Sequence, residues 1–467
     1  MNIPTVRALL FAGALCALGL RASAQIVELR ATIDQSQENP ATGSPARGNA
    51  IMLYDVGSNT FDLMVSITGL SNVAANSHIH EAAVGVNGPV VTGLGGDAVY
   101  TRSGTSLTGT FRSVKHLGDP LKLLQGGAYY NLHSAQFPGG EIRGQLIPQP
   151  VRLYAVIDVP QEAAASAPTL NFSGLNDRGG AVMYYDPMTN LMRLRLSLFN
   201  FNNTFSNSHF HTEIPGKSGG VTTNLGNTLN TTFPNGGTYT NANGYIAGSF
   251  DIPMTGTSPI ALLLGTTYLN FHSNVFGGGE VRGQVYVSEE RPGTRFANTS
   301  VRGFVGTGDQ VLIQGINITG DEPIRALITA KGPSLTAAGV AGALPNPRLE
   351  LYDSGRRRIA FNDDMPAIPA GSELASMPGV PTNAVESVLV VVLPPGNYTA
   401  IVSSATAATG VALLEVTDLR SLPTTVPAVV AMQRAAAPAA TTKGAVALAK
   451  TMPELCVAPL AAIVATR

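Results

Sequence analysis

The sequence predicts an all-β protein in which two tandem Greek-key β-sandwich or barrel domains precede a third, β-sandwich-like domain. Three observations predict this fold class. Short apolar runs rich in Val, Ile, Leu, Thr and Tyr alternate with turns, and the chain has 51 glycines, 31 prolines and no tryptophan. A unit of roughly 130 residues occurs twice. The length of 467 residues suits about three domains.

The repeat is visible at both ends of the unit. Its opening block is GNAIMLYDVGSNTFDLMVSITGL from Gly48 and GGAVMYYDPMTNLMRLRLSLFNF from Gly179, 131 residues later. Its closing block is YYNLHSAQFPGGEIRGQL from Tyr129 and YLNFHSNVFGGGEVRGQV from Tyr268, 139 residues later. The second copy therefore has eight extra residues between the blocks. We place them in the Asn-rich stretch 224–243, as a surface loop.

Within each unit the elements follow one order. A strand-like run opens it (IVELRATI from Ile26), and two apolar runs across an Asn-containing turn then predict an antiparallel hairpin. Further strands follow, such as SLTGTF from Ser106. PLKLL from Pro120 suits either one helical turn or a strand. The total of about seven or eight short strands is typical of a β-sandwich or Greek-key barrel.

The two ends of the chain differ from the repeats. Region 295–420 is again rich in short apolar runs but has no histidine, and 421–467 is an Ala/Pro-rich stretch that we expect to be flexible. We expect a signal peptide at 1–24 and the two repeats at 25–150 and 151–290. The third domain is expected at 295–420.

The N-terminal residues have the pattern of a cleaved export signal. Arg7 precedes a short apolar stretch, and Ala22–Ala24 forms an A-x-A cleavage site. We expect export to the periplasm, the cell surface or the extracellular space, with no transmembrane segment. Cys16 would leave with the signal, so Cys456 could form no internal disulfide. An exported chain without disulfides is typical of bacteria.

The charge of the chain makes nucleic acid an improbable partner. The formal net charge is −1, and charged residues make up 13% of the sequence. A bulk positive field, which attracts phosphate backbones or anionic lipid, is therefore lacking.

Six of the seven histidines occupy matched positions in the repeats. NSHIHEA begins at Asn76 and NSHFHTE at Asn207, and side chains two apart on a strand share a face. A third histidine comes from each closing block. Three imidazoles suit copper or zinc with one position left for water or substrate. The candidate metal ligands are His78, His80 and His133 in the first copy and His209, His211 and His272 in the second.

The same residues have a purely structural interpretation. A His-x-His pair on a half-buried strand can bond to loop carbonyls without metal. Acidic and basic residues of the Glu-Ile/Val-Arg motif share a face and can pair with each other or with a neighbouring strand. The residues of this structural motif are Glu141, Arg143, Glu280 and Arg282.

The duplicated unit resembles the CHRD domain, a module first named in chordin and found in exported microbial proteins. The resemblance rests on HIHEAAVGVNGPVV from His78 and NLHSAQFPGGEIRGQL from Asn131, with HFHTE and NFHSNVFGGGEVRGQV in the second copy. It implies an exported β module that is not an enzyme as a rule. In the second copy PGKSGGVT replaces GVNGPVVT, so ligand contacts of that loop do not carry over.

Two further resemblances are shorter. LELYDSGRRRIAFNDDM and LPPGNYTAIV in the third region are similar to the pre-peptidase C-terminal type of sandwich. HIHE is similar to the copper-binding His-x-His of copper–zinc superoxide dismutases. The dismutases' bridging histidine, zinc-site set and disulfide have no counterparts here.

Three functional hypotheses follow. The first is an exported, non-catalytic binding or structural protein whose partner is a protein, a glycan or matrix. The second is a copper or zinc protein, with redox or dismutase-like activity as one outcome. The third is calcium-dependent adhesion through Asn362, Asp363 and Asp364.

Overall fold

The computed structural model describes residues 25–166, 170–226, 231–232, 237–241, 245–288, 297–366 and 373–419. The predicted signal peptide, the tail 421–467 and both cysteines lie outside the described residues. Over the described part the all-β prediction is confirmed, because strands dominate and the helices are short.

The first repeat forms one curled antiparallel sheet. Its order is β5-β4-β8-β9-β1-β2-β3-β7-β6, and β10 pairs with β1, so the closing strand β9 lies beside the opening strand. PLKLL forms the helical turn α1 (Pro120–Leu124), capped by the Asp119 side chain. The strands are β1 (Ile26–Asp34), β2 (Arg47–Asp55), β3 (Thr60–Thr68), β4 (Ala74–Glu81), β5 (Val90–Gly93), β6 (Thr101–Ser103), β7 (Ser106–Lys115), β8 (Ala128–Ser134), β9 (Ile142–Gln145) and β10 (Ile147–Pro148).

The second repeat forms an equivalent sheet. Its order is β15-β14-β19-β20-β11-β12-β13-β18-β17-β16, with β21 paired to β11. The helices are α2 (Val159–Ala165) and α3 (Pro259–Leu263). The strands are β11 (Val151–Asp158), β12 (Arg178–Asp186), β13 (Leu191–Phe199), β14 (Phe205–Thr212), β15 (Gly220–Gly226), β16 (Thr231–Thr232), β17 (Thr238–Asn241), β18 (Tyr245–Pro253), β19 (Thr267–Ser273), β20 (Val281–Gln284) and β21 (Tyr286–Val287).

The eight extra residues of the second repeat fall within 224–243 as predicted, because Tyr100 and Tyr239 bond to the equivalent Ser77 and Ser208. The described part of this stretch is not all loop, however, and that part of the prediction is wrong. β15 runs on to Gly226, and β16 and β17 are strands. Residues Thr238–Asn241 form β17, which pairs with β18 and extends the sheet. Thr and Tyr suit a pleated surface, which explains why this polar segment pairs.

Each of the strands β4 and β8 has one face toward the hydrophobic core and the opposite face toward the outer side of the sheet. Ile79, Tyr130 and Leu132 belong to the hydrophobic core. Their neighbours His78 and His80 point the other way, because successive side chains on a strand alternate. The outer face is thus polar, and loops cover it.

The remaining strands form a two-sheet sandwich, the C-terminal sandwich. The orders are β22-β29-β24-β27 and β23-β28-β25-β26, and both sheets contribute to one core cluster. The helices are α4 (Pro333–Ala337) and α5 (Glu373–Ser376). The strands are β22 (Asn298–Val305), β23 (Leu312–Ile318), β24 (Ile324–Lys331), β25 (Pro347–Asp353), β26 (Arg358–Asn362), β27 (Ser387–Leu393), β28 (Gly396–Ser404) and β29 (Gly410–Asp418).

Polar contacts join the C-terminal sandwich to the second repeat. The Glu373 carboxylate accepts from Arg195 of β13 at 2.8 Å and from Arg325 of β24 at 2.5 Å. The Val392 amide donates to Ser197 Oγ at 3.0 Å. None of the described helices is long and apolar enough to cross a membrane.

Candidate metal centre

The structure brings the three predicted histidines of the first repeat together. His78 and His80 lie on β4, and His133 lies on β8, which pairs with β4. The ring centres of His78 and His133 are 5.1 Å apart, and those of His78 and His80 are 5.5 Å apart. One ring nitrogen from each residue lies within 4.8 Å of the other two.

Hydrogen bonds to loops fix two of these rings. His80 Nδ1 is 2.9 Å from Gly88 O, and His133 Nδ1 is 3.0 Å from Pro138 O. A carbonyl can only accept, so each Nδ1 carries the proton and each Nε2 has a free lone pair. Such a second bond is what orients metal-bound histidines in general.

Each histidine of this group has one ring nitrogen without a hydrogen-bond partner within the protein. His78 Nδ1, His80 Nε2 and His133 Nε2 are all buried and without a hydrogen bond. Buried polar atoms normally have a partner. Zinc at 2.0–2.1 Å from each ligand would hold nitrogens about 3.3 Å apart. The three nitrogens lie within 4.8 Å of one another, somewhat wider than this spacing.

The second repeat contains the same arrangement. His209 and His211 lie on β14 and His272 on β19, with one nitrogen from each again within 4.8 Å of the others. The Nδ1 atoms of His211 and His272 lie 3.0 Å and 3.1 Å from the carbonyls of Gly219 and Gly277. His209 Nδ1 is 3.1 Å from His272 Nε2. The loop bonds and the convergence of nitrogens thus occur together in both repeats.

The surroundings of His78, His80 and His209 favour the neutral imidazole, which is the form that binds metal. Burial lowers the pKa of His78, and the neighbouring His133 and His80 lower it further. Burial, with His272 and His211, lowers the pKa of His209 to about 4. The pKa of His80 is also lowered by burial, although its bond to Gly88 opposes this.

A stack of three side chains supports the first site. The Tyr129 ring lies against the His80 ring, with centres 4.8 Å apart and planes 10° from parallel. Arg143 Cζ also lies over the Tyr129 ring, 3.4 Å from its centre. Arg143 donates to the carbonyls of Val86 and Ala83. The stack therefore joins the His80 ring to the loop 82–89.

The second repeat has an equivalent stack. The His211 and Tyr268 ring centres are 4.8 Å apart, and Arg282 Cζ is 3.4 Å from the Tyr268 ring centre. Arg282 donates to the carbonyls of Lys217 and Ile214. The loop 213–219 is thus held as in the first repeat, although its sequence differs.

The acidic and basic residues of the Glu-Ile/Val-Arg motif have separate partners. Glu141 accepts from Ser44 Oγ at 2.7 Å and from the Ser71 amide at 2.9 Å. Burial raises the pKa of this carboxyl, but hydrogen bonds from Ser134 and Ser44 bring it below the ordinary value. In the second repeat Glu280 accepts from Asn203 at 3.1 Å. Arg143 and Arg282 bond to loops instead of to these acids.

Sequence reasoning missed a buried acid in each repeat. Glu38 is 8% exposed and Glu162 is 3% exposed, and one oxygen of each has no hydrogen bond. Burial raises the pKa of Glu38 to about 7, and Arg143 opposes this shift. A sequence motif could have identified these acids, because DQSQE from Asp34 and DVPQE from Asp158 share the spacing D-x-x-Q-E.

Asn131 and Asn270 were missed too. They lie between the tyrosine and the histidine of each closing block, in Y-x-N-x-H. On a strand these three side chains share a face. Asn131 packs near Glu38 and against Gly140, which has φ +130°. A Cβ on that glycine would lie 2.7 Å from Glu38 Oε1 and 2.9 Å from the Asn131 amide.

The other candidates do not join these groups. His116 is buried against Tyr54 and Phe61, away from both sites. Within the described residues, the two histidine sets are the groups of three or more possible ligands. Asn362 instead accepts from the Val388 amide at 3.0 Å, so calcium binding there gains no support.

The comparisons with known proteins agree with the repeat. A family model described as CHRD domain matches residues 29–146 and 160–285. No curated protein matches the chain.

One similar solved structure is the pre-peptidase C-terminal domain of a collagenase from Bacillus anthracis. It has 16% identity and a TM-score of 0.17, and the match covers 26% of this chain and 88% of that one. A likeness at that level has no bearing on function. The family match spans more than half of the chain, so the protein belongs to the CHRD domain family, with two tandem copies.

Proposed function

We propose that the protein is an exported metal-binding protein in which each CHRD domain holds one copper or zinc ion. The ligands are His78 Nδ1, His80 Nε2 and His133 Nε2, and the equivalent atoms of His209, His211 and His272. One observation carries the proposal: in the first repeat each of the three neighbouring histidines has a buried ring nitrogen that has no partner. Residues 1–24 would direct export, and the CHRD domains would occupy 25–150 and 151–290.

Copper and zinc fit the donor set better than harder cations do. All three ligands are imidazole nitrogens, which suit zinc and copper, whereas calcium and magnesium prefer oxygen. The loop carbonyls that hold Nδ1 are the structural network that the sequence also suggested. They prepare the Nε2 atoms for a metal, so the two interpretations describe one site.

Metal analysis of the purified protein tests the proposal. The chain is stripped with chelator, exposed to Cu(II) or Zn(II), dialysed and measured by mass spectrometry of the metal. We expect about two ions per chain, since each repeat offers one site. The double variant His78→Ala with His209→Ala should retain almost none. Metal content equal to that of the wild type in this variant would contradict the proposal.

His116→Met is the matched control. The amide and carbonyl of His116 bond to Asn59, as those of Met254 bond to Asn190 in the second repeat. The substitution thus removes a histidine and introduces the residue that the other repeat carries. It should leave the metal content at about two ions.

A binding role toward a protein, glycan or matrix is the second candidate. Val84 and Val86, on the loop over the first site, are 59% and 54% exposed. Apolar side chains at such positions are typical of contact surfaces when they cluster. Val84→Ser with Val86→Ser should weaken retention on immobilised glycan or matrix protein. Equal retention of wild type and variant would speak against this role.

A further inference from the structure

Each candidate metal centre has a buried cation beside it. Arg143 and Arg282 are both 1% exposed. Within the described residues neither forms an ion pair with an aspartate or glutamate, and their hydrogen bonds go to backbone carbonyls and to Gln145 and Gln284. Burial lowers the pKa of Arg143. A guanidinium nevertheless stays protonated at neutral pH.

The distance from this charge to the site is short. Arg143 Cζ lies 3.4 Å from the Tyr129 ring centre, which lies 4.8 Å from the His80 ring centre. The guanidinium carbon is therefore within about 8 Å of the imidazole centre. Both distances recur in the second repeat, at 3.4 Å and 4.8 Å. A charge at this range interacts appreciably where water is excluded.

Few carboxylates offset the two cations: Glu38 acts on Arg143, and Glu162 and Glu213 act on Arg282. Imidazole ligands carry no negative charge, and Glu38 is the carboxylate whose charge acts on Arg143. Burial raises the pKa of Glu38 to about 7, so this carboxyl is partly protonated at neutral pH. A divalent ion at the site would therefore face a buried like charge without full compensation. A monovalent ion would face half the repulsion.

We propose that Arg143 and Arg282 bias the two three-histidine sites toward Cu(I) over Cu(II) and Zn(II). The inference rests on the proposed metal sites and names the ion and charge state that they favour. Three neutral nitrogens and a fixed positive charge suit a monovalent soft cation. The two arginines act through space and through the stacked tyrosine, so they are positioning residues and not ligands.

Competition with the wild-type protein gives the first test. Purified protein is loaded with Cu(I) under reductant and challenged with a tenfold excess of Zn(II), and bound metals are then measured. We expect Cu(I) to be retained at both sites. Replacement of Cu(I) by Zn(II) would overturn the inference and leave the metal site itself intact. A chain that binds neither ion would refute the site.

Arginine variants give the second test, in a chain whose second site is removed by His209→Ala and His211→Ala. Affinities for Cu(I) and Cu(II) are measured with competing chelators. Arg143→Gln should lower the ratio of Cu(I) to Cu(II) affinity about tenfold, a fall of about 59 mV in potential. Arg143→Lys keeps the charge and should keep most of the ratio.

The result that overturns the inference is specific. It is an Arg143→Gln protein that binds copper with the same Cu(I) to Cu(II) ratio as its parent. A purely structural role for the arginine would weaken both affinities alike and leave the ratio unchanged. If Arg143→Gln does not fold, Arg282→Gln is measured in the same way, in a chain whose first site is removed by His78→Ala and His80→Ala.

Discussion

Single residues at the site combine two tasks that the sequence presented as alternatives. His80 Nδ1 bonds a loop carbonyl, and its Nε2 is buried without a hydrogen bond beside the other two histidines. The bond to the loop fixes the tautomer, so the structural contact prepares the chemical one. Gly140 has a comparable dual role: its missing side chain leaves room for Glu38 and Asn131 beside the turn that holds His133.

Gly140→Ala is expected to lower the free energy of unfolding by about 1–3 kcal/mol, because its backbone conformation strains a side chain. The new Cβ would also lie 2.7 Å from Glu38 Oε1. Urea unfolding measures the loss of stability. The copper affinity of the first site measures whether the turn that holds His133 is displaced. Gly139→Ala is the control, since no atom lies within 4 Å of its Cβ position. Equal stability of the two variants would contradict the packing argument.

At the scale of elements, loops convert a plain sheet face into a closed site. The loop 82–89 is held by His80, Arg143 and Gln145 through its carbonyls, and Tyr129 Oη accepts from the Gly88 amide at 3.1 Å. In the second repeat Tyr268 Oη accepts from Gly219 at 3.0 Å. Equivalent strand residues in the two repeats thus hold loops that differ in sequence.

Tyr129→Phe is expected to loosen the loop 82–89 without displacing the strands. It removes one hydrogen bond, worth about 1 kcal/mol, and keeps the stacked ring. Hydrogen exchange of the Gly88 amide should become faster, while that of Gly219 stays as in the wild type. Tyr268→Phe should do the reverse. Faster exchange in both loops of either variant would show that the loops are coupled.

The sequence predicted the strands and the histidines well because both follow short periodicities. The alternation in NSHIHEA places His78 and His80 on one face, and Y-x-N-x-H adds His133 from the paired strand. The partners of Arg143 could not be predicted in this way. They are carbonyls of a loop 57 and 60 residues distant in sequence. Their position depends on how the loop folds over the sheet.

Across the described molecule, the second repeat and the C-terminal sandwich share a charged contact. Glu373 is held between Arg195 and Arg325, whose side chains are 12% and 14% exposed. Burial raises the pKa of Glu373, but the two arginines lower it to about 2 overall. The contact therefore stabilises the folded state wherever the carboxyl is ionised.

Glu373→Gln should lower the stability at pH 7 by about 1 kcal/mol, a modest value because this carboxylate is partly exposed to solvent. The wild-type advantage should be complete above the ordinary pKa of 4.5 and vanish as the pH falls to about 2. Calorimetry of both proteins across this range measures it. Asp251→Asn is the control, because the ion pair between Asp251 and Arg195 lies entirely within the second repeat. An advantage that persists at pH 2 would contradict the assignment.

The imidazoles and the apolar core occupy opposite faces of the same strands, and this has an evolutionary consequence. Substitutions of the histidines leave Ile79, Tyr130 and Leu132 untouched in their packing. After duplication, either copy could therefore acquire or lose metal chemistry while it continued to fold. Natural selection could tune the two halves for different ions on one inherited scaffold.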